Sequence, residues 1–487
     1  MLNDVLIFNT FANNIPMNLT LSARSALLLL LLAAAVASSC RKNDQPDSSP
    51  DLKLGFSMDT VFFDTVFTSI GSVTQRLTVY NDNDGKVSIS SIALAGGEAS
   101  NYRINIDGMA TLQAQDVEIP GHDSIFIFIR VTVDPNDENT PFVVRDSIVF
   151  FTNGNQQDVK LMAWGQNARF LKDTVIEGMQ EWDSLRPYVV FGFVRIDTSA
   201  SLNIQAGTRI YFHWGSYMAV SHDATLSVNG TEEHRVTFRG DRLDPFYSEL
   251  PGQWEGIYLE RGSKNHSINY ADIRNGIFGL SLDSIGSSSI AGLQLHNTII
   301  QNTTSDGIFA YASSITSTNC VLGNNGGASL DIEKGGSYDF LQLTIANYWS
   351  ASVRVGPALY MSNYTYGESG NKIPGPLSRG YFGNVLVYGS NEDEIILDEE
   401  AGTEFNCQFD HAILKTSGDV SAAPRYNFCT ANEDPLFVDP SSLDFRIDTL
   451  SPAIGKGIPM GIPYDIDGNP RGGNPALGAY EFVPGGK

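Results

Sequence analysis

Basic residues are scarce in this sequence. Against 55 Asp and Glu stand only 31 Lys and Arg, a formal net charge of −24. Phosphate recognition needs a basic surface, so the composition argues against nucleic acid as a partner. Residues 1–39 hold one acid, Asp4, and one base, Arg24, so removing them would leave the balance unchanged. Acidity of this kind goes with solubility of an exported protein and does not by itself imply an acidic active site. Cysteine is sparse too: Cys40, Cys320, Cys407 and Cys429 include no CxxC, which excludes a zinc ribbon or thioredoxin-type motif. HExxH, P-loop, GxGxxG and GxSxG motifs are absent, removing most metalloprotease, nucleotide and serine-hydrolase readings. The 7 histidines are scattered, and neither His213 nor His222 reads as a metal ligand; no metal or cofactor is expected. The longest apolar run, Ala26–Ala37, has 12 residues, whereas a membrane-spanning helix needs roughly 20.

What is present points to β-structure. The 487 residues are 42% hydrophobic, only 18% charged and include 46 Gly, with frequent Asn, Ser and Thr. Such turn-rich, β-branched chains are usually all-β. The length calls for two or three domains unless part of the chain is a solenoid.

The short apolar run suits the central region of a signal peptide. It leads into Ala37-Ser38-Ser39-Cys40, which resembles a lipobox, with Ala37 where Leu is usual. The resemblance implies cleavage before Cys40, lipid attachment there, and an initiator at Met17 with Arg24 ahead of the apolar run. Arg41 rather than Asp follows the cysteine, which the resemblance reads as outer-membrane sorting, on the periplasmic or the outer surface. Residues 1–39 are thus expected to be a signal peptide, and 40–54 the lipidated cysteine and a flexible polar tether.

From residue 55 to 170 short alternating segments, among them Arg76–Tyr80, Ile125–Ile129, Ser147–Phe151 and Val159–Trp164, are divided by turn signals such as Pro120-Gly121 and Asn153-Gly154. This predicts an antiparallel sandwich. The segment resembles immunoglobulin-like domains of exported bacterial proteins, which implies a spacer.

A repeat defines the larger part. An apolar residue, any residue and Asn recur at Ile273-Arg274-Asn275, Ile300-Gln301-Asn302, Leu322-Gly323-Asn324 and Ile345-Ala346-Asn347. Between them lie Gly256–Leu259, Gly279–Leu282, Gly307–Ala310 and Ala328–Ile332. Repeats of roughly 22 residues are too short for helical repeats and suit coils of a parallel β-helix. Ile257, Leu259, Leu280 and Leu282 should then point inward, and the asparagines should occupy a sharp corner where stacked amides bond coil to coil. Residues 171–430 resemble the right-handed parallel β-helix of the pectate-lyase-like superfamily. The segment 431–487, with Asp465-Ile466-Asp467-Gly468-Asn469-Pro470-Arg471 and Leu477–Phe482, resembles the C-terminal segment that follows such β-helices. Cys407 and Cys429 can pair or remain thiols, and the Asp465–Asn469 stretch reads as a turn rather than a calcium loop.

Three functions remain open on the sequence: a non-catalytic envelope lipoprotein binding polysaccharide or other envelope proteins, a polysaccharide lyase or glycosidase, and a purely structural envelope component. The loop Arg239–Glu255 is the candidate ligand surface. Its Arg239, Asp241, Arg242 and Asp244 offer polar contacts, and Tyr247 and Trp254 offer rings on which a sugar can stack. The bland alternative is surface ion pairing with Trp254 capping the core. No second set of acids on successive coils is evident.

Overall fold

The computed structural model describes residues 45–137, 139–244 and 246–484. The expected signal peptide, Met17 start and lipidated Cys40 lie outside them. The described chain is all-β and divides into two compact units. One comprises the chain up to Val61, Thr74–Ile129 and Asp146–Leu161; the other comprises Phe62–Val73, Arg130–Arg145 and Met162 onward.

The N-terminal strands form two five-stranded sheets. Alternation fixes which side of each strand is buried: in Asp123–Val131, Ile125, Ile127 and Ile129 are buried while Phe126 and Phe128 are exposed. That strand pairs antiparallel with Gln75–Asn81, and Val87–Leu94 pairs antiparallel with Gln113–Ile119 and Phe142–Thr152. The segment expected to be a flexible tether is fastened from Asp47 onward. Asn153 Nδ2 donates to the Asp47 and Ser49 carbonyls, and Asn155 Nδ2 to those of Pro50 and Leu52.

The second unit carries a 23-stranded sheet running from Arg169–Ile176 to Tyr426–Ala431. Most strands pair in parallel with the third strand onward, the connectivity of a three-sided β-helix. Register is strict. Ile257, Leu280, Ile308, Leu330 and Leu359 align on successive coils, and each is fully buried. Leu259 and Leu282, in the next inward position, are 1% exposed. Toward the C-terminal coils the core becomes aromatic, with Phe340, Phe382, Phe409 and Tyr426 stacked at centroid distances of 5.3, 4.8 and 5.7 Å. Each such pair adds roughly 0.5–1.5 kcal/mol beyond area burial. Cys320 and Cys407 are buried in the same core and Cys429 packs against it; all three are free thiols.

Three strands per coil require three bends, and single left-handed residues supply them. Asn275, Asn302 and Asn324 have φ of 64°, 60° and 52°. Their amides form the expected ladder, Asn302 Nδ2 donating to Asn275 Oδ1 (2.8 Å) and Asn324 Nδ2 to Asn302 Oδ1 (2.9 Å). Asn347 departs from it. The chain there enters the Tyr348–Ala358 loop instead of bending, and Asn347 Oδ1 accepts from the Asn325 amide. A second corner is left-handed at Tyr270, Asn297, Asn319, Gln342, Asn384, His411 and Phe428, aligned by the flanking strand register. Asparagine, and to a lesser degree histidine, tolerates this conformation, so Tyr270, Gln342 and Phe428 are held there by the ladders on either side.

The C-terminal segment covers one outer sheet. Phe437, Phe445, Ile447, Ile466 and Leu477 pack on Val321, Ala346, Leu386 and Ile413. Asp465 is 1% exposed and accepts the amides of Asp467, Asn469 and Glu481, as the turn reading expected. Arg471 reaches Glu481 and Asn319 Oδ1, tying the segment to the second corner.

Asn302→Ala removes both ladder bonds and leaves an alanine at positive φ, so a stability loss of about 2–3 kcal/mol is expected in urea denaturation. Asn302→Gly should lose about 1 kcal/mol less. Equal losses would show that the left-handed bend is not what the asparagine supplies.

Candidate functional site

The Arg239–Glu255 loop lies at a solenoid corner between the strands Val236–Gly240 and Gly256–Leu259. Its polar groups are largely engaged with each other. Asp241 Oδ2 sits 2.8 Å from His213 Nδ1, and Arg242 pairs with Asp244 at 3.2 Å while lying 3.5 Å over the Tyr247 ring. Burial raises the Asp241 pKa against the opposing pull of His213. Arg239 donates to the Ser248 carbonyl. The corner ladder also holds the loop, since Asn275 and Asn302 donate to the carbonyls of Ser248 and Glu249. Trp254 corrects the expectation of an exposed stacking platform. It is fully buried, stacks on Phe212 at 4.2 Å and donates from Nε1 to the Arg274 carbonyl. An indole placed two residues before an inward strand swings into the core, where its ring is worth most and its N–H finds a carbonyl. Five of the six predicted residues thus lie in a loop whose polar groups are engaged with each other and with His213, and the sixth, Trp254, belongs to the core beneath it.

A different constellation lies on the outer face of the strands that follow this corner. Inward Leu330 and Ile332 force Asp331 and Glu333 outward on Leu330–Leu341. Register then builds two columns: Tyr258, Ser281, Phe309, Asp331 and Tyr360, and beside it Asp283, Tyr311 and Glu333. Asp306 joins them from the preceding coil, its Oδ1 accepting the Ala328 amide at 2.8 Å. Gly327 makes room for it, because a Cβ there would stand 2.3 Å from Asp306 Oδ1. Acids do not stand at matching positions of successive coils, since Phe309 lies beneath Asp331 and Tyr311 beneath Glu333, but the charge of Asp306, from off that register, reaches Asp331. Alternation had hidden them: Asp306 and Asp331 are far apart in sequence and become neighbours only through the coil repeat.

The electrostatics of this face are unusual. Asp331 is pushed up to about 8 by burial, reinforced by the charges of Asp306 and Glu333. Burial also raises Asp306. Asp331 Oδ1 is buried and has no hydrogen-bond partner among the described residues. Glu333 accepts from Thr365 Oγ1, and Asp398 accepts from the hydroxyls of Tyr360 (3.2 Å) and Tyr364 (2.5 Å). Lys334 Nζ donates to the Tyr311 hydroxyl at 3.1 Å. A carboxyl that keeps its proton at neutral pH beside carboxylates is the arrangement used for general acid–base work. Among the described residues no three His, Cys, Asp or Glu side chains converge as a metal site.

The sequence matches no family profile and no curated protein. Among solved structures it is similar to a family 123 glycoside hydrolase from Clostridium perfringens, described for glycolipid glycan hydrolysis (TM-score 0.19, 13% identity). That alignment covers 26% of this chain and 31% of the other. A protein of unknown function from Porphyromonas gingivalis W83 aligns over 26% of this chain and 60% of its own (TM-score 0.18, 11% identity). The catalytic domain of a GH87 alpha-1,3-glucanase, in complex with tetrasaccharides, aligns over 73% and 90% (TM-score 0.17, 11% identity). The chain thus spans less than two thirds of the length of the first two proteins.

Asp331 provides a direct check. Its folded pKa of about 8 lies above the ordinary 3.8, so between these values the folded chain holds a proton that the unfolded chain releases. Stability from this group is therefore present at low pH and is lost as pH rises through about 8. Asp331→Asn should match the parent near pH 4 and be more stable above pH 8, by on the order of 1–2 kcal/mol once solvent screening is allowed for. Parallel pH profiles in urea denaturation would mean that the carboxyl titrates normally.

Proposed function

We propose that the outer face around Asp331 binds a glycan, in a protein that works in the cell envelope. The observation that carries this is the buried, unpartnered Asp331 Oδ1 set among tyrosines and carboxylates. An unsatisfied buried polar atom costs about 1–3 kcal/mol, and a ligand hydroxyl relieves that cost. Sugars supply hydroxyls at close spacing and apolar ring faces for Phe309 and Tyr360. Envelope location rests on the lipobox-like Ala37–Cys40 and gives the glycan reading its setting. Other envelope proteins are the alternative partners.

A second reading, hydrolysis, is favoured by the protonated state of Asp331. Its proton can pass to a glycosidic oxygen while an ionised neighbour, Asp306 or Glu333, activates water or attacks the anomeric carbon. A lyase is disfavoured, because a uronate carboxylate would meet Asp306 and Glu333.

Purified protein offered dextran, laminarin, xylan, mannan and, as an anionic control, polygalacturonate should retard in affinity electrophoresis with at least one neutral polymer. Binding by none of them removes the glycan reading. If the protein also cleaves, reducing ends are released at a rate that falls as pH rises through about 8, and Asp331→Asn lowers that rate at least about 100-fold while binding persists. Release unchanged in Asp331→Asn would eliminate Asp331 as the acid.

The lipid anchor has its own test. Cys40→Ala should leave the protein in the soluble fraction after membrane sedimentation, and membrane association of that variant would contradict lipid attachment at Cys40.

A further inference from the structure

The face that carries Asp331 also carries a line of half-buried rings on the coils before it. Phe193 stacks with Tyr217 one coil on, at 5.9 Å between centroids. Tyr217 meets Tyr258 of the following coil at 5.9 Å and 89°, and Tyr258 meets Phe278 at 6.5 Å. These rings are not needed to fill the solenoid, whose core is supplied by their inward neighbours Val194, Met218, Ile257 and Leu259. The backbone accommodates the line as well. Gly256 has φ of 135°, and a Cβ there would come 2.9 Å from the Phe278 carbonyl oxygen, so glycine lets Phe278 close on Tyr258.

The line leads to the carboxylates. Tyr258 is followed in register by Ser281, Phe309 and Asp331. From the coil of Tyr217 to that of Asp331 the rise is roughly 19 Å at the strand spacing of about 4.8 Å. One coil is comparable in length to one sugar ring of an extended polysaccharide, so successive coils can address successive sugars. The charges choose the polymer. Burial, reinforced by the charge of Glu255, raises the Tyr258 hydroxyl pKa. Asp306 and Glu333 stand beside the protonated Asp331 at the far end, with Lys334 held on the Tyr311 hydroxyl, and Arg195 lies over Phe193 at the near end. An anionic polymer would meet the carboxylates of Glu255, Asp306 and Glu333 along this path, and a neutral one would meet no such repulsion.

We infer that this face binds a neutral polysaccharide as an extended chain lying along the solenoid axis, with Phe193, Tyr217, Tyr258 and Phe278 holding the sugars on one side of Asp331. The inference rests on the glycan reading and goes beyond it, because it fixes the direction, polymeric nature and charge of the ligand. Short sugars cannot occupy the ring line and the carboxylate cluster together, so affinity should climb with chain length.

The test is calorimetric titration of the purified protein with gluco-, xylo- and manno-oligosaccharides of about two to six units, a length that spans the line at one sugar per coil. For the series that binds, affinity is expected to rise with each added unit. Tyr217→Ala and Tyr258→Ala should each weaken the longest member about 3- to 10-fold and leave the shortest unchanged, while Tyr258→Phe, which keeps the ring, restores parent affinity. Equal affinity for the shortest and longest members, or alanine variants that bind the longest as the parent does, would overturn the axial line and leave the glycan reading standing. Tighter binding of oligogalacturonate than of any neutral series would overturn the neutral assignment. Absence of binding to every oligosaccharide would overturn both readings together.

Discussion

Parallel pairing of each coil on the last, at a spacing of about 4.8 Å, is the constraint from which the rest of this structure follows. It leaves no freedom in which residue stands above which. Once Leu330 is seated on Ile308, Asp331 must stand over Phe309 and Glu333 over Tyr311. Surface and core are therefore set by the same register: an inward column of Ile and Leu necessarily creates an outward column one residue out of phase with it. The bends must repeat with equal fidelity, which is why left-handed residues line up at the corners and why even Phe428 and Tyr270 adopt positive φ there. The alignment is cooperative, since each strained bend is held by ladders on both sides.

Much of this architecture is legible in residue order. The Ile-x-Asn repeat marks both the coil length and the asparagine corner, because asparagine is the side chain that combines tolerance of left-handed φ with an amide able to bond upward and downward. Ile257, Leu259, Leu280 and Leu282 are inward as alternation requires. The second corner is not legible. Its seven positions hold five residue types, since there the backbone ladder imposes the bend and the side chain need not announce it. Asn347 shows the converse, a residue that fits the repeat but whose chain runs on into a loop. That loop is pinned by Arg354 and Glu394, paired at 1% and 0% exposure, an interaction between residues 40 apart that no local pattern reveals.

The site was harder to read for a related reason. Searching for a contiguous polar and aromatic cluster selects Arg239–Glu255, where Arg242, Asp244 and Tyr247 sit together and satisfy one another. Trp254, the most suggestive ring in that stretch, belongs to the core. The acids that do gather come one or two per coil, separated by apolar residues that face the other way. Their proximity is visible only after the repeats Gly279–Leu282, Gly307–Ala310 and Ala328–Ile332 are superposed, when Ser281, Phe309 and Asp331 fall into one column. On a solenoid, chemistry is written across coils, whereas motif searches read along them.

The placement of Asp331 on a strand also explains how its proton can be retained. A half-buried carboxyl on a mobile loop would swing into water and recover its ordinary pKa, because reorganisation of the loop costs less than desolvation of the charge. On Leu330–Leu341 that escape is closed. The backbone on both sides is paired with Ile308–Thr318 below and with Leu359–Ser362 above, and moving Asp331 outward would pull Leu330 and Ile332 from the core. Their burial is worth roughly 1.5–3 kcal/mol each, comparable to the cost of leaving one carboxyl oxygen unpaired. The apolar core of the solenoid thus holds a polar group in a state that it would not adopt in water. The same strands hold the ring line at fixed spacing, so that the proposed ligand would meet an arrangement already formed.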